Sequence, residues 1–215
     1  MKKIIAIILI LVTIFSVTSC GDREYDEATV LAEAKRLIPE TVLLNDIFWG
    51  KGIDYIEDLN TASGYYYMAD PFYLIINGFE TIDELKEMTR EVYSTSYCES
   101  IFSAVFDAAN DPDEGFVGLV RYYQKYSDAE MKEPECIMVY SRAIVLLGDE
   151  VEYLYDTMKV TGSKKEKVYV SLSVKVTRGD KSQIREISVG LIEEKDIGWR
   201  IDTPTYITYY EEPTE

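Results

Sequence analysis

Residues 167–177 read Lys-Val-Tyr-Val-Ser-Leu-Ser-Val-Lys-Val-Thr, and this stretch decides the fold class. Val168, Val170, Leu172, Val174 and Val176 fall on one face, while Tyr169, Ser171, Ser173, Lys175 and Thr177 fall on the other. Successive side chains of a strand emerge on opposite faces, so strict alternation specifies an antiparallel strand with one face buried and one wet. Partners for it are expected at Cys136 to Leu147, Glu150 to Val160, Ile184 to Glu193 and Trp199 to Asp202. Turns are expected at Gly148-Asp149, Thr161-Gly162-Ser163, Arg178-Gly179-Asp180 and Asp196-Ile197-Gly198. The second half of the chain therefore reads as a meander of long strands.

The first half has helical spacing instead. From Asp26, the apolar positions Val30, Leu31, Ala34, Leu37 and Ile38 recur every three or four residues. Pro39 interrupts, and Val42, Leu43, Ile47 and Phe48 carry the stripe to a stop at Gly50-Lys51-Gly52, predicting a kinked or two-part helix. Tyr65-Tyr66-Tyr67-Met68 and Phe72-Tyr73-Leu74-Ile75-Ile76 read as short β-prone runs around Asp70-Pro71. Thr81-Ile82-Asp83-Glu84 matches a capping box, and Ile82, Leu85, Met88, Val92 and Tyr93 follow on one helical face. A further helix from about Ser96 would bury Tyr97, Ile101, Val105 and Ala108 and end at Asn110-Asp111-Pro112-Asp113-Glu114-Gly115. Phe116 to Tyr126 is open between strand and helix. Helices first and strands after give an α+β plan: N-terminal helices packed on one face of a curved, cone-like antiparallel sheet of about four to six strands.

Composition excludes several chemistries. The 215 residues contain no histidine, which removes Ser-His-Asp and Cys-His nucleophile activation and His-ligated zinc. Asp and Glu number 39 against 22 Lys and Arg, a formal net charge of -17, and such a surface repels a phosphate backbone, so no nucleic-acid partner is expected. Ser-x-x-Lys does not occur, Gly50-Lys51-Gly52 lacks the third glycine of a nucleotide loop, and the run from Asp111 to Gly115 lacks EF-hand spacing. No cofactor and no metal is expected.

The N-terminus reads MKKIIAIILILVTIFSVTSC. Lys2 and Lys3 form a positive n-region and Ile4 to Phe15 an apolar h-region, shorter than the roughly 20 residues of a spanning helix. Val17-Thr18-Ser19-Cys20 resembles the lipobox of bacterial lipoproteins, which implies that Cys20 carries the lipid and becomes the mature N-terminus. Residues 1–19 are then the signal peptide, 20–25 the lipidated cysteine and a short tether, 26–210 a single domain and 211–215 a polar tail. Removal of 1–19 takes Lys2 and Lys3 and no acid, so the mature chain is more acidic still. Its membrane partner would be reached through the lipid rather than by charge. The expected location is extracytoplasmic, on the bacterial cell membrane.

Cys98 and Cys136 remain in the exported part, an even number that permits one disulfide; two buried free thiols are the alternative. The 18 tyrosines suggest an aromatic binding face built from Tyr65, Tyr66, Tyr67, Tyr122, Tyr123, Tyr126, Tyr206, Tyr209 and Tyr210, against the alternative of half-buried strand positions.

The order of elements, ending in Gly198-Trp199-Arg200-Ile201-Asp202, resembles the nuclear transport factor 2-like and cystatin-like cone folds. The segments Phe79-Glu80-Thr81-Ile82-Asp83-Glu84-Leu85-Lys86 and Val92-Tyr93-Ser94 are similar to exported Firmicutes proteins, among them the family of inhibitors of peptidoglycan DL-endopeptidases. The expected function is a non-enzymatic binding module at the cell envelope with an unassigned protein or ligand partner. Two alternatives accompany it. One is an inhibitor of cell-wall hydrolases, as that resemblance implies. The other is an isomerase- or cyclase-like enzyme, using a carboxylate with Tyr66, Tyr140, Tyr153 or Tyr155 in a cone pocket.

Overall fold

The computed structural model describes residues 25–60, 64–107, 110–111, 116–117, 120–128, 133–143, 147 and 150–207. In chain order the elements are α1 (Glu27–Trp49), β1 (Tyr55–Asn60), β2 (Tyr66–Ala69), α2 (Pro71–Ile76), α3 (Ile82–Val92), α4 (Thr95–Val105), β3 (Asn110–Asp111), β4 (Phe116–Val117), β5 (Tyr122–Asp128), β6 (Glu133–Tyr140), β7 (Glu150–Lys164), β8 (Lys167–Arg178), β9 (Lys181–Glu194) and β10 (Gly198–Ile201). The fold is α+β, as the alternation in β8 and the helical first half require.

Asp26 opens α1 by accepting the Thr29 N–H at 2.9 Å. Val30, Ala34, Leu37, Ile38, Leu44, Ile47 and Phe48 form its buried stripe. The helix is one element through Pro39, not two parts. Pro39 sits on the exposed side, where water can serve the carbonyl that loses its donor, and the stripe on either side holds both halves to the same core.

The run from Phe72 to Ile76 is helix α2, not the expected strand. Asp70 accepts the Phe72 N–H at 2.9 Å and Pro71 occupies the first helical position, where its fixed φ suits a helix and its missing N–H costs nothing. The capping box of α3 is formed as read: Thr81 Oγ1 accepts the Glu84 N–H at 3.2 Å, and the Glu84 carboxylate accepts the Thr81 N–H at 3.1 Å. Ser94 caps α4, accepting the Tyr97 N–H at 3.1 Å.

The strands form two four-stranded antiparallel sheets, ordered β1-β2-β6-β5 and β10-β9-β8-β7, with β3 and β4 as a separate ribbon. In the second sheet the alternating face of β8 is buried as read, from Val168 to Val176. The turn expected at Thr161-Gly162-Ser163 lies inside β7, and the chain reverses after Lys164 through Lys165, at φ 60. Gly162 marks a register irregularity against β8 rather than a turn.

One apolar core joins α1, α3 and α4 to both sheets. Phe48 of α1 meets Phe106 edge-on at 6.2 Å, and the Tyr122 hydroxyl of β5 donates to the Ile47 carbonyl at 2.6 Å. After β10 the chain turns back across β9. The Asp202 N–H donates to the Gly190 carbonyl and the Gly190 N–H donates to Thr203 Oγ1, both at 2.8 Å. A side chain at Gly190 would bring its Cβ within 2.9 Å of the Thr203 methyl, so the glycine allows this crossing.

Candidate functional site

The tyrosines read as one aromatic face occupy at least four separate places. Tyr122 is fully buried: besides donating to Ile47, its hydroxyl accepts the Ile53 N–H at 3.1 Å and the Arg121 Nε–H at 2.9 Å. It holds the core and contributes no surface. Tyr66 and Tyr123 cluster with Tyr140 on the first sheet, ring centroids 5.0 and 5.4 Å from Tyr66. Tyr67, one residue on, faces the other way and packs on Tyr55 at 4.8 Å. The Arg142 guanidinium covers Tyr65 at 4.7 Å, and Tyr126 is exposed on the edge strand β5. Tyr206 packs on Trp49 at 5.6 Å. Tyr209, Tyr210 and Cys20 lie outside the described residues.

Cys98 and Cys136 are free thiols, so the permitted disulfide is not formed. Cys98 is buried on α4 with its Sγ 3.5 Å from the Tyr93 carbonyl, whereas Cys136 lies on β6 with its Sγ 3.7 Å from the Met138 sulfur. The folding of the chain puts the two thiols in different layers.

What the structure brings together instead is a cleft of about 510 Å³ between the second half of α1, β7 and the segment after β10. Val42, Leu43, Leu147 and Val151 supply apolar walls, and Tyr206 and Lys51 also line it. Asn45 and Tyr153 line it as well, and they belong to a buried polar network that reaches Tyr93 and Thr205 behind them. Asn45 Nδ2 donates to Thr205 Oγ1 at 2.9 Å and to the Tyr153 hydroxyl at 3.3 Å, and Tyr93 donates to Asn45 Oδ1 at 3.2 Å. Tyr153 in turn donates to the Thr205 carbonyl at 3.1 Å. Burial raises the Tyr153 and Tyr93 hydroxyls above the ordinary tyrosine value, so both remain neutral donors. Asp46 also lines the cleft, and its Oδ1 accepts the Lys51 N–H at 3.1 Å while its carbonyl accepts from Gly50 and Gly52. That carboxylate secures the end of α1.

A second polar cluster has the residue types of an acyl-transfer site but a different geometry. Asp202 is buried and accepts from the Ser94 and Ser96 hydroxyls and from the Lys167 ammonium. Burial alone would raise its pKa. Hydrogen bonds from Lys167, Ser94 and Ser96 outweigh that and hold the carboxyl below its ordinary value. Lys167 spends its charge on Asp202, and Ser94 caps α4, so this is a clamp joining α4, β8 and β10.

The cleft was signalled in part by one residue not singled out in the sequence. Asn45 is a polar side chain inside the apolar stripe between Leu44 and Ile47, and a buried amide requires partners. The partners themselves, Tyr153 and Thr205, lie 108 and 160 residues away. Among the described residues no group of three His, Cys, Asp or Glu is placed to hold a metal, and no helix is long and apolar enough to cross a membrane. No family model, no curated protein and no solved structure matches this chain.

Proposed function

We propose that the protein is a lipid-anchored, extracytoplasmic binding module, tethered through Cys20, that engages an envelope partner or ligand through the cleft between α1 and β7 without catalysing a reaction. The observation that carries the binding role is the state of the cleft's polar atoms. Asn45, Tyr93, Tyr153 and Thr205 hydrogen-bond one another, and Asp46 holds the Lys51 N–H. With these amide and hydroxyl groups engaged with one another, the apolar walls are what the cleft presents for contact. Location rests on the signal-like residues 1–19 and the lipobox ending in Cys20.

The isomerase-like alternative has one observation in its favour, that Asp46 and Tyr153 line the same cleft. The hydrolase-inhibitor alternative is favoured by the acidity of the chain, which suits a cationic-rimmed target.

Two measurements test the proposal. Detergent-phase partition of cell extracts should place the wild type with the membrane lipoproteins and Cys20→Ala in the aqueous phase; retention of Cys20→Ala in the detergent phase removes the anchor. A photo-crosslinking amino acid at Val42, on the rim of the cleft, should give a defined adduct in intact cells. Filling the cleft with Val151→Trp should abolish it. An adduct indifferent to Val151→Trp, or none at all, overturns the assignment of the cleft.

A further inference from the structure

Helix α2 displays three large apolar side chains that no element among the described residues covers. Phe72 is 70% exposed, Ile75 62% and Ile76 63%, on a helix of only six residues. Surface apolar residues are normally scattered singly, and a contiguous set marks a contact surface. This set is also held rigidly. Leu74 is buried and fixes α2 to the core, the Asp70 carboxylate caps its start, and Asn77 Nδ2 donates to the Tyr73 carbonyl at 2.8 Å. The Phe79 N–H closes the end on the Leu74 carbonyl at 3.2 Å. Such a knob pays little ordering entropy on binding.

Its flanks are acidic. Asp70 begins the helix, its N–H bonded to the Asp54 carbonyl at 2.8 Å, and Glu80 follows its end. Strand β1 leads away from Asp54 as an edge strand, carrying exposed Glu57 and Asp58 beside exposed Tyr55 and Leu59. These charges choose among occupants. A second copy would bring matching acidic flanks together across an isologous contact, within a chain of net charge -17. An anionic bilayer is repelled in the same way. Position weighs against the bilayer too: the tether joins α1 at its start, whereas α2 is bonded, through Asp70 and Asp54, to the segment that leaves the opposite end of α1.

We propose that Phe72, Ile75 and Ile76 form the anchor of a protein-docking surface whose partner is an extracytoplasmic protein presenting an apolar groove rimmed by Lys or Arg. The apolar side chains supply affinity, and Asp54, Glu57, Asp58, Asp70 and Glu80 supply orientation and on-rate. The inference rests on the binding-module reading and names the class of partner for it.

The test uses the full-length anchored chain in intact cells, with p-benzoylphenylalanine at Ile76 and, as a control, at Ile184, which is 68% exposed on the second sheet. The position-76 adduct is identified by mass and its protein purified. Phe72→Ser and Ile75→Ser should each weaken binding to that protein by at least about tenfold. Raising salt from about 0.05 to 0.5 M should weaken the wild type severalfold. Because the replaced side chains are exposed, both variants should unfold at the wild-type urea midpoint. The proposal is overturned by an adduct only with a second copy, an adduct only with lipid, the same adduct from Ile184, or affinity indifferent to both salt and Phe72→Ser. If position 76 gives no protein adduct while position 42 does, the docking surface fails and the binding module stands. If neither does, both fail.

Discussion

The Asn45 side-chain amide donates to the Thr205 hydroxyl at 2.9 Å, joining α1 to the segment after β10 across 160 residues of sequence. Asn45 is the hub, since Tyr93, Tyr153 and Thr205 all meet it. Removing the amide leaves buried hydroxyls short of partners and opens a cavity under the cleft. Asn45→Ala should therefore cost about 2–3 kcal/mol in urea unfolding. Val42→Ala, an exposed change on the same helix, should stay within about 0.5 kcal/mol. Equal midpoints for the two variants would show that the network contributes nothing to stability.

Asp202 should make stability depend on pH in the acid range. Its folded pKa lies below the ordinary carboxylate value, because Lys167, Ser94 and Ser96 together outweigh its burial. A depressed carboxylate contributes stability that is fully present above the unfolded pKa, about 3.9. That contribution is lost as pH falls through the folded value. Asp202→Asn should cost about 1–3 kcal/mol at pH 7, where the carboxylate accepts three charge-assisted or hydroxyl donors. The gap between wild type and variant should close as the pH is lowered below about 4. A gap that is constant from pH 7 to pH 3 would sink this reading of the clamp.

Legibility in the sequence followed the range of the determining interaction. Strand β8 was readable because its period of two needs no partner to be seen, and the α3 cap because Thr81 and Glu84 are three residues apart. The misread elements had local signals that were outweighed by composition. Phe72 to Ile76 looked β-prone as a run of aromatic and branched residues, although Asp70-Pro71 ahead of it is a helix start. Gly162 looked like a turn and is an irregularity within β7. The opposite facing of Tyr66 and Tyr67 follows from the pleat of one strand, whereas the division into two sheets and the separation of Cys98 from Cys136 depend on pairing between distant strands, which no local pattern states. The cleft was invisible for the same reason, apart from Asn45.

The α3 cap is a local feature with a local cost. Thr81→Ala removes the acceptor for the Glu84 N–H and frees the Glu84 carboxylate from its return contact, which should lower stability by about 1 kcal/mol. Thr81→Ser keeps the hydroxyl and should recover most of it. Thermal unfolding distinguishes the outcomes, and a Thr81→Ser variant as weak as Thr81→Ala would assign the effect to the lost methyl instead.

The thiols give the most direct check on how the layers are arranged. In a Cys20→Ala chain purified without reductant, thiol titration in denaturant should find both Cys98 and Cys136 free. In the folded protein the two should differ. Burial pushes the Cys98 thiol up to about 11, with the Arg90 charge only partly opposing it, and the residue is 2% exposed. The thiolate is the reactive form, so at pH 8 a maleimide reagent should reach Cys98 at the rate of local unfolding. Burial also raises Cys136, but that side chain is half-buried on β6 and should be modified first. Mild urea below the unfolding transition should speed Cys98 far more than Cys136, because only Cys98 needs the helical layer to open. A chain that shows no thiol in denaturant would establish the disulfide and contradict the separation of α4 from β6.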